Sequence, residues 1–297
     1  QGEIVLSYDL ELWSPENPKL YDCVLTRGED TLYSYFGVRS FGKCVDKNGK
    51  QRLTLNGKPY FFNGVLDQGY WSDGMFTYPS DIAAYEELKL LKDMGFNTVR
   101  KHIKLEPMRW YYHCDRLGML VWQDMPSGGT KQHKWYTLLA PNIGLDKTKD
   151  NNYRIFSRQA QESRDRYWIE YEEMLNQLYN CTSIAMWVPF NEAWGQFDAN
   201  KVAEWTKQFD PTRTVDHASG WHDQGGGDIK SMHVYFKPVR IKKDKNRVVC
   251  LTEFGGYVYK DMLTASTPTT PIATKPSKRK RPLTKDSKNC TNVTFFA

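Results

Sequence analysis

The chain has 297 residues, of which 40% are hydrophobic and 14% aromatic, with ten Trp and eighteen Tyr. That length suits one large α/β barrel or two ordinary domains. The net charge of +6 is concentrated in residues 275–288, which hold seven Lys/Arg against one Asp, so the rest of the chain is close to neutral and no basic nucleic-acid face is expected on the folded body.

No apolar run reaches membrane-spanning length, so no membrane partner is expected either. Six cysteines, at positions 23, 44, 114, 181, 250 and 290, lack CxxC or zinc-finger spacing and read as free thiols.

Residues 1–41 alternate apolar and polar and read as three short strands: IVLSYDLELW, SPENPKLYDCVLTRG and TLYSYFGVRSF. Three strands do not make a stable sandwich alone, so they read as the end of a larger β domain. Residues 42–58 add a hairpin with turn chemistry at Asp46–Gly49 and Asn56–Gly57. From residue 59 strands alternate with helices. YFFNGV is a strand, and SDIAAYEELKLLKDMG is a helix capped by Ser80 or Asp81 and stopped at Gly95. Then come strand FNTVRKH, helix EPMRWYYHCDRLG, strand MLVWQDM and a loop over 126–152. A long helix over 154–180 leads to strand IAMWVPF and helix ANKVAEWTKQFD. Strands TRTVDHAS, DIKSMHVY and NRVVCLTEF follow.

This alternation predicts an α/β fold with a parallel sheet, a (β/α)8 TIM-type barrel showing about seven of its eight strands. The expected division is a partial β-sandwich over 1–41, a catalytic barrel over 42–262 lacking its last unit, and a disordered basic tail over 263–297, where Thr, Pro and Lys dominate.

Two acids close apolar strands. Glu192 follows IAMWVPFN, and Glu253 follows VVCLT. Strand C-termini of a parallel barrel face the mouth where chemistry occurs, and an unpaired carboxylate in the core is very costly. Two such acids on separate strands suit glycosidic cleavage, one protonating the leaving oxygen and the other attacking the anomeric carbon. Asn191 can donate to a sugar hydroxyl. Asp124 ends the third barrel strand and can bond another. Trp194, just past Glu192, can stack on a sugar ring. Trp221 and His222 sit in a Gly-rich loop suited to a pocket wall, and His233 shares a strand face with Tyr235. The histidines lack HExxH spacing, and the Gly run lacks a phosphate-loop ending, so neither metal nor cofactor is expected.

Several ordered motifs carry a family resemblance: LWSPENPKLY with FGVRSF, LNGKPYFFNGV, GFNTVRKH, WYYHCDRLGMLVWQDMP, WVPFNEAWGQFD and LTEFGGY. Together they resemble glycoside hydrolase family 2, the β-galactosidases, β-glucuronidases and β-mannosidases, over about residues 10–260. The resemblance implies that residues 1–41 end an immunoglobulin-like sandwich. It implies a retaining β-glycosidase acting on a carbohydrate, with β-galactoside favoured and β-glucuronide as the alternative. Glu192 would be the acid/base, Asn191 the partner of the sugar 2-hydroxyl and Glu253 the nucleophile. Tyr235 would hydrogen-bond the nucleophile, and Arg100 would lie under it. His102 falls near the family's second-strand His, although this chain reads RKHIK where many members read R-x-S-H-Y. The family's N-terminal sugar-binding domain and last barrel strand are missing from the pattern, which leaves an inactive carbohydrate-binding fragment as a further alternative.

Overall fold

The computed structural model describes residues 9–131, 133–235, 238–241 and 243–255, together with the backbone of 295–296. Two small sheets lead into it. Strands β1 (Tyr21–Arg27) and β2 (Asp30–Phe36) form an antiparallel hairpin. Strands β3 (Phe41–Val45), β4 (Gln51–Leu55) and β5 (Lys58–Pro59) form a three-stranded antiparallel sheet. Its first turn is organised by Asp46, whose Oδ1 accepts from the backbone N–H groups of Asn48 and Lys50 at 2.8 and 2.9 Å.

The strand expected over 4–13 is not present in its described part, residues 9–13. Trp13 explains the difference. Its ring is fully buried beside Leu53, Phe62 and Trp122, and its Nε1 donates to the Asp115 carbonyl at 2.7 Å. A large side chain used as an anchor, followed by Pro15, fixes this segment by burial rather than by ladder pairing.

The main body then alternates. In chain order it runs β6 (Asn63–Asp67), α1 (Asp81–Asp93), β7 (Thr98–Lys101), α2 (Met108–Leu117), β8 (Leu120–Asp124), α3 (Ala140–Asn142), α4 (Gln161–Leu178), β9 (Ile184–Val188), α5 (Ala199–Phe209), β10 (Thr214–Val215), β11 (Ile229–Tyr235), β12 (Val248–Gly255) and β13 (Phe295–Phe296). Helix α1 starts where Ser80 Oγ accepts from the Ala83 N–H at 3.2 Å. Helix α2 ends at Gly118, whose φ of 70° suits a residue without Cβ. Helix α4 begins later than the expected residue 154, because Ser157 has a φ of 62° and breaks the helical run.

The strands β6 to β13 form one parallel eight-stranded sheet in the order β10-β9-β8-β7-β6-β13-β12-β11. The seven strands expected from the alternation are all there. Phe295–Phe296 supplies an eighth between β12 and β6. The rest of the tail expected over 263–297 lies outside the described residues. The ends of the sheet, β10 and β11, are joined where the Asp228 N–H donates to the Val215 carbonyl at 2.8 Å.

Strands β7, β8 and β9 are buried along their whole length, as parallel strands covered on both faces must be. Along β8 the faces alternate. Leu120 and Trp122 join the inner cluster with Met186, Ile229 and Cys250, while Val121 packs outward on Trp110, Tyr171 and Leu175. Among the described residues no helix is long and apolar enough to cross a membrane. Cys23, Cys44, Cys114 and Cys181 are free thiols, and Cys290 lies outside the described residues.

Candidate active site

The carboxyl ends of β6, β7, β8, β9, β11 and β12 bring their polar residues to one end of the sheet. At the centre lies Arg100, on β7, whose side chain has no exposure to solvent. Its Nε and Nη2 hold both oxygens of Asp124 at 2.9 and 3.0 Å. Nη2 also donates to Asn191 Oδ1 at 2.8 Å, and Nη1 donates to Glu253 Oε1 at 3.0 Å. The planar guanidinium is the side chain able to serve several fixed acceptors at once.

Glu253 is 7% exposed. Its Oε2 accepts a short hydrogen bond from the Tyr235 hydroxyl. Burial pushes the Glu253 carboxyl upward. The charges of His233, Arg100 and His102 and the hydrogen bond from Tyr235 outweigh that and hold it below the usual carboxylate range. An ionised, buried carboxylate is chemically able to attack an electrophilic carbon.

Glu192 stands opposite, and its backbone φ of 49° is left-handed, as is that of Ala193 at 63°. Such a conformation costs a non-glycine residue about 1–3 kcal/mol and persists only where its surroundings enforce it. The Glu192 N–H donates to the Ser219 carbonyl at 2.9 Å, and the Trp194 N–H closes a turn on the Asn191 carbonyl at 3.0 Å. Glu192 Oε1 receives His233 Nδ1 at 2.8 Å and the Tyr235 hydroxyl at 3.0 Å. Glu192, His233 and Glu253 present atoms that lie within 4.8 Å of one another. Three such groups can hold a cation, but the Arg100 guanidinium already places positive charge on Glu253 Oε1.

Asn191 is fixed by Arg100 at its oxygen, and its Nδ2 lies 3.0 Å from His102 Nε2. One amide hydrogen is therefore left for another acceptor. Burial lowers the His102 imidazole below its usual range, and the Arg100 charge adds to the effect against the pull of Asp124. His102 Nδ1 lies 3.3 Å from Gln68 Nε2, which extends the polar ring to β6.

The structure therefore gathers Glu192, Glu253, Asn191, Tyr235, Arg100, His102, Asp124 and His233 into one network. Asp124 serves it from below, through Arg100. Trp221 is 6% exposed and packs edge-on to His233 with centroids 6.4 Å apart. Trp194 sits at the rim, 47% exposed. His222 is not brought into the network. Its Nε2 meets the Tyr136 carbonyl at 2.9 Å, its Nδ1 accepts from the Thr148 N–H at 3.2 Å, and its ring packs on Phe156. Nor do His217 and Asp223 converge on His233; they pair with each other at 3.2 Å, and Arg247 grips Asp223.

Ser219, Ser231 and Thr252 were not among the expected site residues. Their hydroxyls form a chain behind His233, and isolated Ser and Thr in strands carry no sequence signal for it. Among the described residues a cavity of about 840 Å³ reaches Glu253 and Tyr235, and Asp67, Gln68, Tyr70 and Glu87 line its other wall.

Known proteins resemble this chain. The TIM barrel domain of the glycosyl hydrolases family 2 matches residues 47–270. A β-galactosidase of Leuconostoc mesenteroides is 25% identical over 244 residues, covering 80% of this chain and 20% of that protein. One from Photobacterium profundum is 28% identical over 223 residues, covering 73% and 19%. The chain thus spans about a fifth of the length of the curated relatives it matches. Among solved structures, the galacturonate-bound β-galacturonidase of Eisenbergiella tayi superposes with a TM-score of 0.61 at 19% identity, covering 85% of this chain and 46% of that one. A β-glucuronidase from Bacteroides uniformis gives 0.62 at 19%, covering 84% and 31%. With the family's barrel domain spanning most of the sequence, this chain belongs to glycoside hydrolase family 2.

Proposed function

We propose that the protein is a retaining β-glycosidase that hydrolyses terminal β-linked sugars, with β-galactosides preferred. The observation that carries the reading is the closeness of Glu192 and Glu253, which offer oxygens within 4.8 Å of each other. Retaining enzymes hold their carboxyl groups about 5–5.5 Å apart, whereas inverting enzymes need about 6.5–9.5 Å to admit a water.

In this reading Glu253 attacks the anomeric carbon while Glu192 gives its proton to the leaving oxygen. The products are a covalent glycosyl–Glu253 ester and a free alcohol. Glu192, now a carboxylate, then takes a proton from water, which displaces Glu253 from the sugar. Arg100 and Tyr235 keep Glu253 ionised for the first step and stabilise it as the leaving group in the second. The spare amide hydrogen of Asn191 would meet a sugar hydroxyl beside the reacting carbon.

β-Galactosides are favoured because the curated relatives that the chain matches are β-galactosidases. The β1–β2 hairpin is read as the edge of an immunoglobulin-like sandwich.

A 2-deoxy-2-fluoro-β-galactosyl fluoride tests the chemistry by accumulating the covalent intermediate. Peptide mass spectrometry should find the label on Glu253, and Glu192→Ala with azide should release β-galactosyl azide. A label on another residue, or an α-configured azide product, would overturn the assignment. Turnover of aryl β-glucuronide above aryl β-galactoside would overturn the choice of sugar alone.

A further inference from the structure

We infer that His233 is a positioning residue for Glu192, fixing which oxygen of the acid/base carries the transferable proton, rather than a ligand of the sugar. The inference rests on the retaining reading above and assigns a role within it.

The His233 side chain has no solvent exposure, so it does not face a sugar. Its two ring nitrogens have different partners. Nε2 lies 3.2 Å from the Ser219 hydroxyl, 3.4 Å from Arg100 Nη1 and 3.5 Å from Glu253 Oε1. A chain of hydroxyls lies behind the ring. The Gly220 N–H donates to Ser231 Oγ at 3.1 Å, Ser231 contacts Thr252, and Thr252 Oγ1 donates to the Met232 carbonyl at 3.3 Å. The polar partner of Nδ1 is a carboxyl oxygen, Glu192 Oε1 at 2.8 Å, so Nδ1 carries the hydrogen of that contact whatever Nε2 does.

Tyr235 does not replace that donor. Its phenol has one proton, and the shorter of its two carboxylate contacts is to Glu253. Glu192 Oε1 thus receives a permanent N–H from His233 and is a poor place for the acid's own proton. The proton goes to Oε2, for which no partner is found among the described residues.

Two backbone features are shaped around the ring. A register shift in the β11–β12 pairing falls between Met232 and His233. Met232 pairs with Leu251, Thr252 is skipped, and His233 comes opposite Glu253. Gly220, at a φ of 89°, lies against the imidazole so closely that a Cβ there would come within 2.5 Å of Nδ1. Charged or titratable groups face His233 from every strand around it: Glu192 after β9, Arg100 from β7, Glu253 from β12, Tyr235 from β11 and Asp216 after β10.

The test is leaving-group dependence. Protonation of the leaving oxygen matters for phenyl β-D-galactoside and hardly at all for 2,4-dinitrophenyl β-D-galactoside, whose phenolate leaves unaided. His233→Ala should lower kcat/KM for the phenyl substrate by about 100-fold, a general-acid-sized loss. For the dinitrophenyl substrate it should lower it less than about fivefold. Gly220→Ala, which displaces the ring without removing a polar group, should show the same split if His233→Ala does not fold. His233→Asn, which keeps a donor, should recover part of the phenyl rate.

Equal losses on both substrates, in variants with unchanged melting temperature, would overturn the inference and leave the retaining mechanism standing. Wild-type protein that cleaves neither substrate nor any other aryl β-glycoside would overturn the retaining reading and this inference with it.

Discussion

Arg100 Nη1 and Glu253 Oε1 meet at 3.0 Å around a guanidinium with no exposure to solvent. The same guanidinium holds Asp124 with two bonds and Asn191 with a third, so Glu253, Asn191 and Asp124 share one positive centre. Replacing Arg100 by Lys keeps the charge but not the fork, and one ammonium cannot serve all three acceptors at these positions. Arg100→Lys should lower kcat/KM by about 10²–10³, the size of losing one pre-organised donor. Steady-state kinetics on an aryl β-galactoside checks it, and a loss under threefold would refute it.

Tyr235 gives a pH prediction. Its hydroxyl helps hold the Glu253 carboxyl below the usual range against the upward push of burial, along with His233, Arg100 and His102. An acid lowered in this way stays ionised, and active, as pH falls below the ordinary carboxylate value. Tyr235→Phe removes one stabiliser of the anion. The acid limb of kcat/KM should therefore move to higher pH, and an unmoved limb would exclude the role.

Glu87 gives the opposite sign. Burial first, then the Asp67 charge, raises its carboxyl to about 7. The protonated form is favoured in the fold, so its contribution is full below the ordinary glutamate value and is lost as pH rises through about 7. Glu87→Gln should match the wild type in stability near pH 4 and exceed it at pH 8. Urea melts at the two pH values decide this, and a gain confined to low pH would contradict it.

Away from the site, Asp210 Oδ2 joins Arg213 Nη1 at 2.6 Å and Trp187 Nε1 at 2.8 Å, and all three residues are buried. Asp210→Ala would strand the guanidinium in the core, at a cost of about 3–5 kcal/mol. The urea midpoint should fall accordingly while the KM of any folded protein stays unchanged.

The order of strands and helices, and the two acids at the ends of β9 and β12, were legible in the amino-acid sequence. Those features depend on local pattern: apolar runs of strand length, Ser80 and Gly118 at helix ends, and polar residues that strand C-termini must expose. Other features were out of reach. The resemblance placed Arg100 under Glu253, but not its bonds to Asp124 and Asn191 or its approach to His233, which join residues from five segments. The left-handed backbone at Glu192 depends on Ser219, and the side on which His233 presents its proton depends on a one-residue slip between β11 and β12. The strand at Phe295–Phe296 and the loss of one at 9–13 were settled by open sheet edges and by the burial of Trp13. Sequence pattern fixes what each segment can do with its own neighbours. Only packing the strands side by side decides which distant groups share a proton, because that choice turns on contacts of a few ångströms between residues far apart in the chain.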